Sequence, residues 1–430
     1  MNSLLIFISL AIFGSGSYLV WPSRYNVMTH LTVGATFIAS FVPSIILSIQ
    51  DNHPQPIVDL YVRIISIGCM FYVIGLFAGF SIKPRVSKLS FNVMPTELYE
   101  KRILRITKNL LYFGVIGLAL SYVIMGFVPM FTSDPIAAKF FRGAYQAPYL
   151  RAAILYRTSF FILSSIITIS FVIWYERRQK VFLYGTIAAV GLMFLSLSRG
   201  PAFSGLLLAI AIIMSFKSRF YFKLLLAGII GLFLLSSVFY YAIGVKSFAT
   251  EKENGNNTDF WSVIAASAPD ESDQLQFLEM FQQRPLWTYG QTLYGGLIPG
   301  HYKWNPSVYT LNVVDPNVDT NDVASGGLRL PVAMWGYVSF EWTGVIIFCL
   351  LAGLIRGIIL KYSKIWILSH NSLLIRAVII FINIALFEQF AEFYDLSIYY
   401  MPAAVLSLLF MYRFRTKKAV SQIWNYKAEK

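Results

Sequence analysis

The chain has 430 residues, 57% of them hydrophobic and only 13% charged, a balance far more apolar than that of a soluble domain. That composition excludes an ordinary soluble enzyme and indicates an integral membrane protein. The formal net charge of +14 would suit nucleic acid only if it were gathered on an exposed basic domain; none is visible, so no nucleic-acid partner is expected.

Apolar stretches able to cross a hydrocarbon core about 30 Å thick recur along the chain. Eleven spans are predicted, at 3–20, 30–49, 62–82, 109–128, 153–174, 181–197, 202–216, 221–241, 333–355, 373–387 and 396–412. The fold class is therefore an all-α integral membrane protein of about 11 transmembrane helices. The first stretch, "LLIFISLAIFGSGS", resembles a secretory signal in its small-residue tail but lacks a basic leader, and reads as a span. Residues 1–241 hold the first eight helices, 242–332 one large extracytoplasmic loop, 333–412 the last three helices and 413–430 a basic cytoplasmic tail.

The orientation follows from the connecting segments. One alternating set carries most of the lysines and arginines, including Lys101, Arg102, Arg105 and Lys108, then Arg177, Arg178 and Lys180, then Arg356, Lys361 and Lys364, and the tail. Basic connections stay on the cytoplasmic side, so the N-terminus is expected outside and the C-terminus inside. Cys69 and Cys349 both fall within spans, which leaves the outer loop without a disulfide. No metal-ligand spacing, phosphate-cradling glycine loop or internal repeat is present in the sequence, so neither a metal nor another cofactor is expected.

The segment "GLMFLSLSRGPAFSGLLLAI", 191–210, places Arg199 between two spans. Gly200 is expected to break the preceding helix, and Pro201 to sit in the first turn of the next, where its missing N–H costs nothing. A helix N-terminus attracts anions, and Arg199 adds a fork-shaped donor suited to phosphate. Ala202, Gly205 and Ala209 would let another helix approach closely. The segment "DPIAAKFFRGAYQAPYLRAAILYR" brings Arg142, Arg151 and Arg157 to the same outer side, and Arg329 closes the large loop. Arg151 and Arg157, six apart, do not share a helix face and read as separate contacts. Outer arginines run against the topological trend and call for an anionic partner.

In "FEQFAEFYD", 387–395, Glu388, Glu392 and Asp395 stand at i, i+4 and i+7 and share one face if the helix continues, flanked by Phe387, Phe390 and Phe393 as interface anchors. They read either as ion-pair partners of the arginines or as acid-base groups. The large loop holds "LWTYGQTLYGGLIPGHYKWNPSVYTLN", whose aromatic residues suit sugar rings as well as headgroups. His301 and Asp322 in this loop are further candidates for a general base.

Many spans, "SLSRG" at a helix junction, "LIPGHYKWNP" in a late large loop and the following "ASGGLRLPVAMWGYVSFEWTGV" together resemble the Wzy-type O-antigen polymerases of bacterial envelopes. The spacing within "LIPGHYKWNP" departs from the family's loop motif, and no second arginine follows it. The resemblance implies a glycosyltransferase of the bacterial inner membrane. Its substrates would be oligosaccharides on undecaprenyl pyrophosphate, its surroundings membrane lipids, and its partners a chain-length regulator and a flippase. On this reading Arg199, Arg142, Arg151, Arg157 and Arg329 would bind pyrophosphate, with Glu388, Glu392, His301 or Asp322 in the chemistry. An O-antigen ligase or a lipid-linked oligosaccharide flippase or transporter is the alternative.

Overall fold

The computed structural model describes residues 2–36, 54–82, 96–217, 270–298, 302–317, 327–398 and 401–412, with isolated positions 220, 223 and 227. His301, Asp322, nearly all of the span expected at 221–241, the first part of the large loop and the basic tail lie outside the described residues. Among those described, every regular element is a helix or a helical turn. Five segments are long and apolar enough to cross a membrane: Gln55–Ser81, Glu97–Phe131, Ala137–Arg177, Val332–Ser369 and Leu373–Ala391. Leu4–Val20, Lys180–Leu195, Phe203–Lys217 and Met401–Met411 are apolar but shorter.

Several helices overrun the apolar stretches that announce them. Thr96–Met125 begins well before the span expected at 109, because Glu97, Lys101, Arg102 and Arg105 are good helix formers that extend the helix beyond its apolar part. Val332–Ser369 likewise continues past residue 355. Arg356, Lys361 and Lys364, expected in a connection, are therefore helical.

The chain divides into two compact units. The first comprises residues 1–82, 217–361 and 389–398. Its frame is the pairing of Gln55–Ser81 with the Val332–Ser369 helix, and the cause is visible in the sequence as "GLFAG" at 75–79 and "GLIRG" at 353–357. A Cβ on Gly75 would lie 2.1 Å from the Leu350 carbonyl oxygen, and one on Gly353 would lie 2.0 Å from that of Tyr72. Only glycine permits backbones this close, and in a membrane such packing contributes most of the helix association.

The same unit contains the described part of the large loop. Asp270–Gln283 and Pro306–Val314 enclose an apolar core with Tyr61 and Ile64 of the Gln55–Ser81 helix and with Leu275, Phe277, Phe281, Tyr309 and Trp335. Asn305 caps the second of these helices by accepting from the Ser307 N–H at 3.1 Å, and Pro306 follows in its first turn. The span expected at 333–355 is interrupted: Phe340 (φ −149°, ψ 33°) and Glu341 (φ 50°, ψ −139°) are non-helical. Residues 333–339 are buried, and several of them join the loop's core. The helix nonetheless starts at Val332, and the residues before the Phe340–Glu341 break pack with the loop because Ala333, Trp335 and Tyr337 find apolar partners there.

The second unit comprises 83–216, 362–388 and 399–430. Thr96–Met125 packs along Gln146–Arg177, and Lys180–Leu195 lies against both. The close approach expected at Gly205 is present: its carbonyl accepts from the Thr168 hydroxyl at 2.9 Å, and an added Cβ would lie 3.2 Å from the Ser164 carbonyl. Ala209 is fully buried. At the far end of this unit Glu100 is held by Arg177 and by the Ser372 hydroxyl, which caps Leu373–Ile382.

Candidate functional site

In the second unit the "SLSRG" junction turns differently from the sequence expectation. The helix before it ends at Leu195, and Leu197, not Gly200, takes the left-handed conformation (φ 59°) that reverses the chain. The next helix begins at Arg199, with Gly200 and Pro201 inside its first turn; for Arg199 only the backbone is described. The reversal is fixed by Ser196, a buried residue whose hydroxyl donates to the Met193 carbonyl at 2.6 Å.

The helix before the junction is held by Tyr122, whose phenol donates to the Leu192 carbonyl at 2.7 Å, and the Tyr156 ring lies against that of Tyr122. Tyr156 belongs to an aromatic cluster: its ring meets those of Phe141, Tyr149 and Tyr122 at 5.3, 5.8 and 6.1 Å, and Phe141 stacks on Tyr149 at 3.7 Å. Phe141 holds a left-handed φ of 53°, a conformation that costs energy in a bulky residue and persists because the stack fixes it. Arg157 donates from Nε to the Tyr149 hydroxyl at 2.6 Å, and the Arg142 guanidinium lies over Phe140 at 5.3 Å. One of the expected arginines, Arg157, thus attaches to this aromatic cluster, while Arg142 lies over the neighbouring Phe140. Arg151 is exposed and joins no described cluster.

The carboxylates of 388–395 do not lie on one unbroken helix. The chain passes through a π-helical turn at Asn383–Phe387 and one α-turn at Glu388–Ala391, after which Glu392 leaves helical geometry (φ −92°, ψ 36°) and 393–395 form a 3₁₀ turn. The wider π-turn shifts the register, so the spacing of an unbroken helix no longer applies. Of the expected anchors, Phe390 is exposed while Phe393 packs on Phe348. Glu388 is buried and belongs to the second unit.

Glu392 and Asp395 meet basic groups. Arg356 and Glu392 lie within electrostatic range of each other, as do Asp395 and Arg329, and the two carboxylates repel. Burial first, and Glu392 second, push the Asp395 carboxyl up to about 6, with Arg329 opposing. Arg329 thus lies within electrostatic range of Asp395. The backbone of Arg329 is tied down as well: its carbonyl accepts from Gln274, which in turn accepts from Tyr61.

The aromatic density of 286–312 is mainly core. Tyr309 is fully buried and Trp304 and Trp335 lie 6.1 and 6.0 Å from it, while Tyr289 and Tyr294 remain exposed. Arg356 was missed in the sequence, where a basic residue after an apolar run reads as the end of a span; the paired "GxxxG" segments were the signal that would have found it. Among the described residues no group of three histidine, cysteine or acidic side chains could hold a metal ion. Comparison of the chain with protein-family models, with curated proteins and with solved structures finds no match.

Proposed function

We propose that the protein is a membrane glycosyltransferase of the Wzy-type polymerase kind, lengthening a surface polysaccharide such as O-antigen at the outer face of the bacterial inner membrane. In the reaction, a hydroxyl of one lipid-linked repeat unit attacks the anomeric carbon of a glycan held on undecaprenyl pyrophosphate. The new glycosidic C–O bond forms as the bond to pyrophosphate breaks, and the hydroxyl proton passes to a carboxylate. Charge collects on the departing pyrophosphate, so fixed cations and helix N–H groups aimed at it lower the barrier.

The observation that supports this reading most is in the second unit, where a helix opens at Arg199 and an aromatic cluster bonds Arg157, with Arg142 over the adjoining Phe140. Arg199, Arg142, Arg157 and the exposed Arg151 are the proposed pyrophosphate ligands, with Arg329 as a further candidate for the same role. Glu392 and Glu388 are the proposed acid-base groups, with His301 and Asp322 as the loop's contribution.

The test is polymer formation by the purified protein in lipid nanodiscs supplied with a repeat unit on undecaprenyl pyrophosphate. Arg199→Ala should abolish the product ladder while the protein remains folded, and Arg199→Lys should restore part of it, because lysine keeps the charge without the bidentate fork. A normal ladder from Arg199→Ala would remove the junction from the chemistry. Transfer to a lipid A core acceptor with no ladder would assign the protein to the ligases.

A further inference from the structure

In the first unit the large loop returns to the ends of two membrane-crossing segments. Thr288 donates its N–H to the Val338 carbonyl at 3.0 Å, and its hydroxyl meets that of Ser339 at 2.8 Å, immediately before the Phe340–Glu341 break. Further on, the Gly296 carbonyl accepts from the Ile398 N–H at 3.0 Å, and a Cβ on Gly296 would lie 2.1 Å from the Leu396 carbonyl oxygen; residues 396–398 follow the end of Leu373–Ala391. The two attachments lie at one level, since Phe348 packs on Phe340 at 6.4 Å and on Phe393 at 5.4 Å. Between them the chain is turned outward. Tyr289 (φ 46°) and Gly290 (φ 77°) are the central residues of a turn closed by the Gln291 N–H on the Thr288 carbonyl at 2.9 Å. Two left-handed residues in succession ordinarily call for asparagine and glycine, so a tyrosine in the first place is strained. The turn leaves Tyr289 66% exposed, and Tyr294, Leu297, Phe340 and Ile398 are exposed as well. Gly290 lies against the Phe340 ring, its Cβ position 3.6 Å away.

We propose that residues 289–297, with Phe340 and Ile398, form a ridge seated in the headgroup and upper acyl region of the bilayer, so that the loop rests on lipid beside the helices it joins. Continuity with the membrane-crossing helices assigns the ridge to lipid. Phe340 precedes the unbroken part of the Val332–Ser369 helix, and the next exposed large apolar residues of that helix, Ile347 and Leu351, belong to its crossing part. Ile398 follows the end of a second crossing segment. Single exposed apolar residues need no explanation, but these gather along one edge at the level where two helices leave the hydrocarbon. The residue types fit that level. Tyrosine presents an apolar ring and a polar tip, the pairing enriched at membrane–water interfaces, while Leu297 and Ile398 offer only hydrocarbon. A glycan platform would need polar side chains among the rings, and Leu297, Phe340 and Ile398 bring none. The strained turn at Tyr289 has its reason here, because it points an aromatic ring away from the loop's own core. The ridge stands independently of the glycosyltransferase reading, and it fixes the height of the loop's core over the bilayer.

Depth measurement tests this on the full-length protein in nanodiscs of phosphatidylcholine and phosphatidylglycerol. Nitroxide labels are placed on Tyr289→Cys, Tyr294→Cys and Leu297→Cys, one at a time, and the competing access of oxygen and of a water-soluble nickel chelate reports how deep each lies. Asn317→Cys, exposed in the same loop, is the aqueous reference, and the parent, with Cys349 buried and Cys69 half-buried, supplies the background. The Leu297→Cys label should lie about 5–10 Å below the phosphates, the depth of interfacial apolar faces, and the two tyrosine positions at or just below headgroup level. Adding Leu297→Glu to Tyr294→Cys should move that label toward water, because a carboxylate resists transfer into hydrocarbon. Should Tyr289→Cys fail to fold, the Tyr294→Cys and Leu297→Cys labels, on exposed side chains outside the strained turn, carry the test. Labels as open to the nickel chelate as that of Asn317→Cys would overturn the proposal. So would labels closed to both reagents, which would give the ridge to another part of the chain or to a protein partner, and so would a Tyr294→Cys depth that Leu297→Glu leaves unchanged.

Discussion

Replacing Gly75 with alanine should destabilise the first unit more than its single methyl suggests. The added Cβ would stand 2.1 Å from the Leu350 carbonyl oxygen and 2.9 Å from the Leu354 nitrogen, both backbone atoms that cannot rotate away. Restoring an ordinary contact of 3.4 Å requires the two helices to part by about 1.3 Å. A gap of that size forfeits about half or more of the attraction of each atom pair along the seam, and overpacking of this kind costs about 1–3 kcal/mol. The backbone origin of the clash places Gly75→Ala near the upper end of that range. Gly353→Ala should cost a similar amount, because its Cβ meets the Tyr72 carbonyl oxygen at 2.0 Å. The double variant should cost clearly less than the two added, since one parting of the helices accommodates both methyl groups. Gly191→Ala is the control: its Cβ meets nothing within 4 Å, and in a helix it should be neutral or stabilise by about 0.5–1 kcal/mol. Denaturant unfolding of the purified protein in mixed micelles, followed by tryptophan fluorescence, measures all four. A Gly75→Ala protein as stable as Gly191→Ala, or a double variant whose loss equals the sum, would refute the seam argument.

Two other outcomes are expected. Because the folded-state carboxyl of Asp395 is raised to about 6, the folded state holds its proton where the unfolded chain has lost it, so stability falls as pH rises from about 4 to 6 and stays lowered above. Asp395→Asn should flatten that segment of the stability-against-pH curve, and an unchanged slope would show that Arg329 cancels the burial. Tyr149→Phe releases the Arg157 guanidinium from its 2.6 Å bond; on the proposed function this should raise the KM for the lipid-linked donor several-fold with the fold intact, and an unchanged KM would detach Arg157 from donor binding.

The helical, membrane-crossing character of the chain was legible because it rests on long apolar runs, which no local detail can disguise. Helix ends were less so: Lys101, Arg102 and Arg105 extend a helix beyond its apolar part, where hydropathy falls silent but propensity does not. The Phe340–Glu341 break had no signal, since neither proline nor glycine marks it and Glu341 takes the left-handed conformation in spite of its side chain. In the candidate site, a helix start near Pro201 was readable from "SLSRGP", but the helix takes in Arg199, which was expected in the connection, and the reversing residue was misassigned because glycine is the usual occupant of such a φ. The stripe of Glu388, Glu392 and Asp395 presumed unbroken helix, and a π-turn has no spacing rule to betray it. Arg356 was read as the end of a span on its charge alone; its neighbours Gly353 and Gly357 carried the contrary message.

The Phe340–Glu341 elbow ties two kinds of structure together. Across it Gly336 and Gly344 approach so closely that a Cβ on Gly344 would lie 2.0 Å from the Gly336 carbonyl oxygen, while Ala333, Trp335 and Val338 on one side are embedded in the loop's aromatic core. The elbow is therefore filled on both sides, by apolar core and by a glycine-to-glycine contact, and a methyl group at either glycine would have to force the two arms apart.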